Sequence, residues 1–187
     1  MNPKALDGFL ASIERRAFRM AVLATKNEQA ALDLVQDAMM RLAEKYGDRP
    51  ETEWPMLFQR ILQNAILDHH RRQKVRRAWV TLFSDLSPIG EDGPDGAEFE
   101  HPFADMPDSP ERQPEVLFSQ KQTWEQITDA IAKLPVRQQQ AFLMRYWEGF
   151  DIAQTAQVMG CSEGSVKTHC SRAVSALTKA LPSLKPD

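Results

Sequence analysis

Apolar residues along this chain recur every three or four positions, which is the spacing of one buried helix face. The recurrence is clear over five stretches, residues 6–24, 31–42, 57–66, 117–134 and 142–146. No stretch of useful length alternates apolar and polar residues in the way of a half-buried strand. The pattern therefore predicts an all-α protein.

Capping and helix-breaking residues predict where these helices begin and end. Asn27 is suited to cap the second helix, and Gly47 follows its last apolar residue. Pro55 is tolerated in the first turn of the third helix, whereas Pro135 interrupts the apolar pattern further on. These residues predict three helices in the N-terminal half and several shorter ones in the C-terminal half.

The segment between the two halves differs from both in composition. Ser84–Pro114 holds six prolines and three glycines without a sustained period, which is typical of a linker or mobile loop. Residues 84–118 carry ten acidic residues against one basic residue, although the net charge of the whole chain is only −3. We therefore expect two small, net basic helical domains, residues 1–83 and 115–187, joined by an acidic flexible linker over residues 84–114.

The stretch from Asp151 to Leu181 has the layout of a helix-turn-helix. Asp151 can cap a short helix, Gly160 supplies a left-handed turn residue, and Ser162 can cap a longer second helix. The predicted core face of that second helix is Val166, Cys170, Ala173, Val174 and Leu177.

The opposite face of this second helix carries no large apolar side chain. Small polar residues near a helix N-terminus, followed by bases such as Lys167 and Arg172, suit insertion into the major groove. An isolated amphipathic helix would be interpreted as merely solvated, but the short helix, the glycine turn and the capped long helix together favour DNA binding. His169 fits a DNA contact and a plain surface position equally well. The predicted DNA-binding residues are Ser162, Glu163, Ser165, Lys167, Thr168, His169 and Arg172.

The second helix of the N-terminal half is more apolar than one buried face requires. Met39, Met40 and Ala43 lie outside its main apolar stripe. Such a helix is either buried on all sides in a bundle or covered by a partner, and the pattern alone leaves both interpretations open. In the second interpretation, the polar rim of the partner-binding face is Asp33, Gln36, Asp37 and Arg41.

The third helix carries a basic face away from its apolar stripe. Arg60, Asn64 and Arg71 lie at positions i, i+4 and i+11, and Arg72 belongs to the cationic run that follows. Trp54 precedes the helix, and bases together with aromatic residues suit a DNA backbone and unstacked bases. A solvated basic helix end is the plainer interpretation, and this helix alone does not exclude it.

Several classes of protein are not indicated by the sequence. No apolar run approaches the roughly 18 residues of a membrane span, no signal-peptide layout is present, and a cytoplasmic location is the expectation. Cys161 and Cys170 have neither disulfide-framework nor zinc-site spacing, and buried packing is the expected role of Cys170. We find no catalytic motif, so the sequence predicts no enzyme, no cofactor and no metal site.

Four segments resemble the bacterial sigma factors of the extracytoplasmic-function (ECF) group. The core-polymerase-binding motif of that family is similar to DLVQDAMMRL at Asp33–Leu42, and its −10-reading segment is similar to WPMLFQRILQNAILDHHRRQ at Trp54–Gln73. Its −35-reading region is similar to LPVRQQQAFLMRYWEGF at Leu134–Phe150 and to VMGCSEGSVKTHCSRAVSAL at Val158–Leu177. The resemblance covers residues 9–79 and 117–181.

The resemblance implies roles for three residue sets and for three partners. A core-RNA-polymerase-binding face would comprise Asp33, Gln36, Asp37, Met40 and Arg41. A −10-binding set would comprise Trp54, Arg60, Asn64, Arg71 and Arg72, and the helix-turn-helix residues would bind −35 DNA. Core RNA polymerase and promoter DNA are the implied partners, and an anti-sigma factor is implied as a third. The chain departs from the family at Gln139 and His169, where arginine is frequent.

One rival class shares part of the pattern. The segment SEGSVKTH, residues 162–169, also resembles the reader helix of response-regulator transcription factors, which would act without replacing a sigma subunit. That class predicts a phosphoacceptor α/β domain upstream, and residues 1–116 show no such strands.

Overall fold

The computed structural model describes residues 3–84 and 114–181, with side chains described for residues 4–76 and 123–181. Every regular element in these ranges is a helix, which confirms the predicted all-α class. The N-terminal domain consists of α1 (Pro3–Thr25), α2 (Glu28–Tyr46) and α3 (Trp54–Ser84), with a single 3₁₀ turn at Glu51–Glu53. The C-terminal domain consists of α4 (Pro114–Ala132), α5 (Val136–Phe142), α6 (Ile152–Met159) and α7 (Glu163–Ala180). The predicted linker falls almost entirely outside the described residues.

The predicted caps form where the sequence places them. The Asn27 side chain accepts a hydrogen bond from the backbone N–H of Ala30 at 2.8 Å. Asp151 and Gln154 form a capping box at the start of α6, in which each side chain accepts from the backbone N–H of the other. Gly47 follows α2 as predicted, but its backbone is right-handed, with φ of −59°.

The N-terminal domain is a three-helix bundle with its core along α3. Phe58, Leu62 and Ile66 lie one helical turn apart on α3 and are fully buried against α1 and α2. Val35 and Leu42 contribute the facing side chains of α2. This apolar spacing is the pattern from which the sequence predicted the helix, so the core of this domain follows from local periodicity.

The C-terminal domain builds its helix-turn-helix around Ala156, Met159 and Val166, which are all buried. Gly160 joins α6 to α7 in the left-handed conformation, with φ of 61°, as predicted. The predicted placement of Val174 in the core is wrong, because its side chain is 41% exposed. Val158 takes an unexpected place: it is buried in the cluster that also holds the N-terminal core.

The two domains pack directly against each other. Ile131, Leu143, Met144 and Val158 of the C-terminal domain are buried in one continuous apolar cluster with the core of α1, α2 and α3. The helix α5 continues into one π-helical turn, Leu143–Trp147, at this contact. The sequence predicted a covalent connection between the domains but not this interface.

Candidate nucleic-acid interface

Most of the predicted reader face of α7 is exposed. Ser162, Glu163, Lys167, Thr168 and Arg172 are exposed, whereas Ser165 and His169 are half-buried. The Ser162 and Ser165 hydroxyls lie 2.9 Å apart, and Ser162 accepts from the backbone N–H of Ser165, so this pair also forms the N-cap of α7. The face therefore presents two exposed cations, Lys167 and Arg172, behind a polar helix N-terminus, a layout suited to a major-groove reader.

Arg137 holds the turn that orients this face, and the sequence analysis did not single it out. Its Nη1 atom donates to the backbone carbonyl of Met159 at 3.0 Å, at the C-terminal end of α6. The same nitrogen lies 3.4 Å from Oε1 of Gln140. Arg137 thereby ties α5 to the residue before the Gly160 turn. Only the folded chain reveals this role, because 22 residues separate donor and acceptor.

His169 lies beside two guanidinium groups on the reader helix. Burial, followed by the positive charges of Arg137 and Arg172, lowers the pKa of His169 below its ordinary value of 6.5. The imidazole is therefore neutral at pH 7 and adds no charge to the reader face there. Its Nδ1 atom is buried without a hydrogen-bond partner among the described residues.

We expect binding to a −35 duplex to strengthen as the pH falls below about 6.5. In the free protein, burial and the neighbouring arginines disfavour the charged imidazolium form of His169. A nearby DNA phosphate would favour that form, so we expect the pKa of His169 to rise on binding and a proton to be taken up. Titration by fluorescence anisotropy between pH 7.5 and 5.5 measures this dependence, and the variant His169→Gln removes it. A variant with an unchanged pH slope would contradict a DNA contact by His169. Because the neutral form is favoured in the fold, His169 also contributes stability that is lost as the pH falls.

The basic face of α3 is also exposed. Arg60, Asn64 and Arg71, which the sequence predicts on the side away from the apolar stripe, are all exposed, and so is Arg72 of the cationic run that follows. Arg71 donates to Oδ1 of Asp68 at 3.2 Å, one turn earlier on the helix. That contact fixes Arg71 weakly, since exposed ion pairs of this kind contribute little to stability.

Trp54 does not belong to this face. Its side chain is 2% exposed, and its indole N–H donates to the backbone carbonyl of Tyr46 at 3.2 Å. Phe9 of α1 packs against the ring, with a centroid separation of 5.8 Å. A ring held by these contacts cannot stack on a DNA base, so the prediction that Trp54 binds DNA is wrong. Its position before a basic helix suggested a surface role, whereas its size makes it a core residue of a small domain.

The two histidines at the basic end of α3 are neutral at pH 7. Burial lowers the pKa of both, and it is assisted by Arg72 at His69 and by His69 at His70. His70 also hydrogen-bonds the backbone of Ala24 at the end of α1. The positive charge of this segment therefore comes from its arginines and lysines.

The helix α2 exposes the whole predicted partner-binding face. Asp33, Gln36, Asp37, Met40 and Arg41 are all exposed. Met40 is 57% exposed, and Leu32, two turns before it on the same side of the helix, is 38% exposed. The helix is thus not buried on all sides: Met40 is exposed, whereas Met39 and Ala43 pack against the apolar core cluster.

Within the described parts of the chain, no group of three or more His, Cys, Asp or Glu residues is placed to hold a metal ion. None of the described helices combines the length and apolar character that a membrane crossing needs.

Comparison with known proteins identifies both domains. Residues 9–76 match the family model for sigma-70 region 2, and residues 124–177 match the model for sigma-70 region 4. The ECF RNA polymerase sigma factor SigM of Mycobacterium tuberculosis is 29% identical over 181 residues, which cover 95% of this chain and 77% of SigM. SigL of the same species is 28% identical, over 89% of this chain and 83% of SigL. BldN of Streptomyces coelicolor is 38% identical over 72 residues, which cover 38% of this chain and 27% of BldN.

The fold also matches a solved structure. The sigma factor RpoE of Bartonella quintana, crystallised in complex with the anti-sigma factor NepR, aligns with a TM-score of 0.59 and 20% sequence identity. The alignment covers 95% of this chain and 99% of RpoE.

The two matched regions, in their order along the chain, place the protein in the sigma-70 family. Within that family it is an ECF sigma factor, which binds core RNA polymerase and promoter DNA and directs promoter-specific transcription initiation. The response-regulator alternative is not favoured, because residues 9–76 match sigma-70 region 2 and not a phosphoacceptor domain.

Proposed function

We propose that three separate surfaces of this sigma factor divide the work of initiation. The α2 face binds core RNA polymerase, the basic face of α3 contacts the −10 element, and the reader face of α7 contacts the −35 element. The observation that carries the proposal is the exposure of most residues of all three sets on a chain whose two domains match sigma-70 regions 2 and 4. Trp54 is buried, and Ser165 and His169 are half-buried.

The α2 face has the chemistry of a protein-binding surface. An exposed methionine, Met40, lies among charged and amide side chains, and methionine is favoured at interface cores. Asp37 and Arg41 lie 3.9 Å apart across one helical turn, so both side chains are oriented along the face. An apolar centre with a charged rim fits a folded partner better than it fits DNA.

The α3 face has the chemistry of a −10 reader. Asn64 presents an amide that can both donate and accept hydrogen bonds, as recognition of one base edge requires. Arg60 lies one turn before it, and Arg71 and Arg72 lie two turns after it, within reach of the backbone on either side. Turning a base out of the stack takes a few kcal/mol, which the phosphate and polymerase contacts would offset.

We expect Asn64→Ala to relax base preference at one −10 position while leaving binding to core polymerase unchanged. One well-made base contact discriminates between bases by about 1–3 kcal/mol. The ratio of initiation from the consensus promoter to initiation from a promoter substituted at that position should therefore be about 10-fold smaller for the variant than for the native protein. Run-off transcription from the four single-base promoter variants measures this preference. An unchanged ranking of the four bases would show that Asn64 does not recognise the base at this position.

An anti-sigma factor is the proposed third partner, and a cytoplasmic location is proposed with it. The support is the complex of the structural relative RpoE with NepR, together with an exposed α2 face that such a protein would compete for.

Footprinting of the holoenzyme tests the division of surfaces. Hydroxyl-radical cleavage of a promoter fragment should show two protected patches about 25 base pairs apart, and Lys167→Ala with Arg172→Ala should weaken only the upstream patch. Lys133→Ala, an exposed base at the end of the α4 segment, is the control and should leave both patches intact. Loss of the downstream patch in the double variant would contradict the proposal.

A further inference from the structure

The basic face of α3 contains one acidic residue, Asp68. Its side chain is 55% exposed, and it lies one helical turn after Asn64 and one turn before Arg71. Both of these residues and the next one along, Arg72, are exposed, whereas Ile66 of the same turn is fully buried. Asp68 therefore belongs to the surface that −10 DNA would contact, and its charge has the wrong sign for a phosphate.

A carboxylate on this face opposes the binding of any DNA backbone. Arg60, Arg71 and Arg72 attract phosphates whatever the base sequence, whereas Asp68 repels them. A carboxylate favours binding only where it accepts a hydrogen bond from a base. The exocyclic amino groups of cytosine and adenine are such donors, whereas thymine and guanine carry a carbonyl oxygen at the same place.

The contact between Arg71 and Asp68 leaves the carboxylate able to accept from a base. Nη1 of Arg71 donates to Oδ1 of Asp68 at 3.2 Å. An ionised carboxylate has two oxygens and about four acceptor sites, so a single arginine contact does not exhaust it. The positive charge of Arg71 also reduces the repulsion between Asp68 and the DNA backbone. The pair therefore keeps an acceptor on the basic face at a reduced electrostatic cost.

The alternative is an ordinary ion pair on a solvated helix surface, which residues three or four positions apart often form. That interpretation accounts for the contact between Asp68 and Arg71 but gives Asp68 no part in base recognition. It predicts that removal of the negative charge strengthens binding to every promoter equally. The two interpretations therefore differ in their dependence on base sequence.

The spacing of Asn64 and Asp68 along α3 fits two bases of one strand. Four residues advance a helix by about 6 Å at about 1.5 Å per residue, and stacked bases lie about 3.4 Å apart along a strand. The two residues are also only about 40° apart around the helix axis, since each residue turns the helix by about 100°. Asp68 can therefore meet a base one or two positions away from the base that meets Asn64.

We propose that Asp68 is a specificity-determining residue for the −10 element, and that its carboxylate accepts a hydrogen bond from the exocyclic amino group of a cytosine or an adenine. The proposal rests on the assignment of the α3 face to the −10 element. Asn64 both donates and accepts, whereas the ionised carboxylate of Asp68 only accepts. Asp68 therefore also disfavours the carbonyl oxygen that thymine or guanine places there, so the discrimination combines an attraction with a repulsion.

Run-off transcription from all single-base variants of one −10 element locates the base. Holoenzymes are assembled from purified core polymerase with the native chain or with Asp68→Ala. At one position, where the native holoenzyme prefers cytosine or adenine, the ratio of initiation with the preferred base to initiation with thymine or guanine should be about 10-fold smaller for Asp68→Ala. That position should lie within about two bases of the one affected by Asn64→Ala.

Asp7→Ala is the matched control. It removes the same side chain from an exposed position of α1 and should leave the preference at every −10 position unchanged. Alanine has the highest helix propensity of all residues, so both variants should keep the helical content of the native protein. Circular dichroism checks that they do.

Base analogues test the hydrogen bond itself. Replacing the located cytosine by 2-pyrimidinone, or the located adenine by purine, deletes the amino group without adding a carbonyl oxygen. The native holoenzyme should initiate about 10-fold less from the analogue promoter than from the natural one, and Asp68→Ala should initiate equally from both. An Arg71→Ala holoenzyme should still distinguish the two promoters, because the Asp68 carboxylate remains.

Three results would overturn the proposal. A uniform gain of Asp68→Ala on every promoter would leave only a surface ion pair, as would a native holoenzyme indifferent to the analogue. Loss of discrimination in Arg71→Ala would show that Asp68 acts only through that arginine. A changed −10 preference with Asn64→Ala but not with Asp68→Ala would contradict this proposal alone. If Asn64→Ala and Arg71→Ala also leave −10 recognition unchanged, the assignment of the α3 face fails, and the proposal fails with it.

Discussion

Asp37→Lys is expected to weaken binding to core RNA polymerase by about 30-fold or more while leaving the helical content of the protein unchanged. Like charges placed across an interface disfavour association by several kcal/mol, and Asp37 lies fully on the exposed face of α2. Because Asp37 pairs with Arg41 at 3.9 Å and both side chains are more than half exposed, the fold loses little by the reversal. Surface plasmon resonance with immobilised core polymerase measures the loss.

Two further variants test the assignment of the α2 face: a side-chain truncation close to Asp37 and a charge reversal far from it. Met40→Ala removes an exposed apolar side chain and should weaken binding by about 5- to 10-fold if it lies at the interface centre, where truncations exceed about 1 kcal/mol. Asp7→Lys makes the same charge change on exposed α1 and should bind as the native protein does. Equal losses for Asp37→Lys and Asp7→Lys would indicate a general charge effect and would contradict the assignment of the α2 face.

The double variant Lys167→Ala with Arg172→Ala is expected to lose about 30-fold in affinity for a −35 duplex at 0.15 M salt. Each phosphate contact contributes about −0.9 to the slope of log affinity against log salt, so two lost contacts reduce the slope by about 1.8. Both side chains are exposed, so their removal should leave the fold intact.

The slope of log affinity against log salt distinguishes direct phosphate contacts from a general effect of positive charge on DNA binding. Lys133→Ala removes a positive charge elsewhere on the C-terminal domain and should leave the slope unchanged. A double variant that binds weakly but keeps the native slope would show that Lys167 and Arg172 do not touch phosphates. Lys167 and Arg172 would then no longer count among the DNA-binding residues of α7.

The sequence predicted the features that depend on neighbouring residues. The apolar spacing of Phe58, Leu62 and Ile66, the caps at Asn27 and Asp151 and the glycine turn all act within one or two helical turns. Each of them has a local signature that the folded chain retains.

The features that the sequence did not predict depend on contacts between distant residues. Gln140 meets Gln63 across 77 positions, and Gln139 meets Leu23 across 116. Periodicity cannot show which polar side chains will be buried together, and Gln139 stood out only as a departure from the arginine that is frequent at this family position. Its buried amide bridging two helix ends gives that departure a structural role in this chain.

Two single residues were misplaced for the opposite reason, because their local context was misleading. Trp54 stands beside a basic helix, yet its ring fills the small N-terminal core. Val174 has the helical spacing of a core residue, yet its side chain remains 41% exposed, whereas the adjacent Ala173 takes the buried position on α7.

The central claim is that this chain directs core RNA polymerase to promoters through two DNA-reading domains. Run-off transcription with purified core polymerase, the full-length chain and a library of genomic fragments tests it most directly. We expect discrete transcripts that depend on the chain, disappear with Asp37→Lys, and fall sharply with the double variant Lys167→Ala and Arg172→Ala. No chain-dependent transcript from any fragment, or transcripts indifferent to both variants, would contradict it.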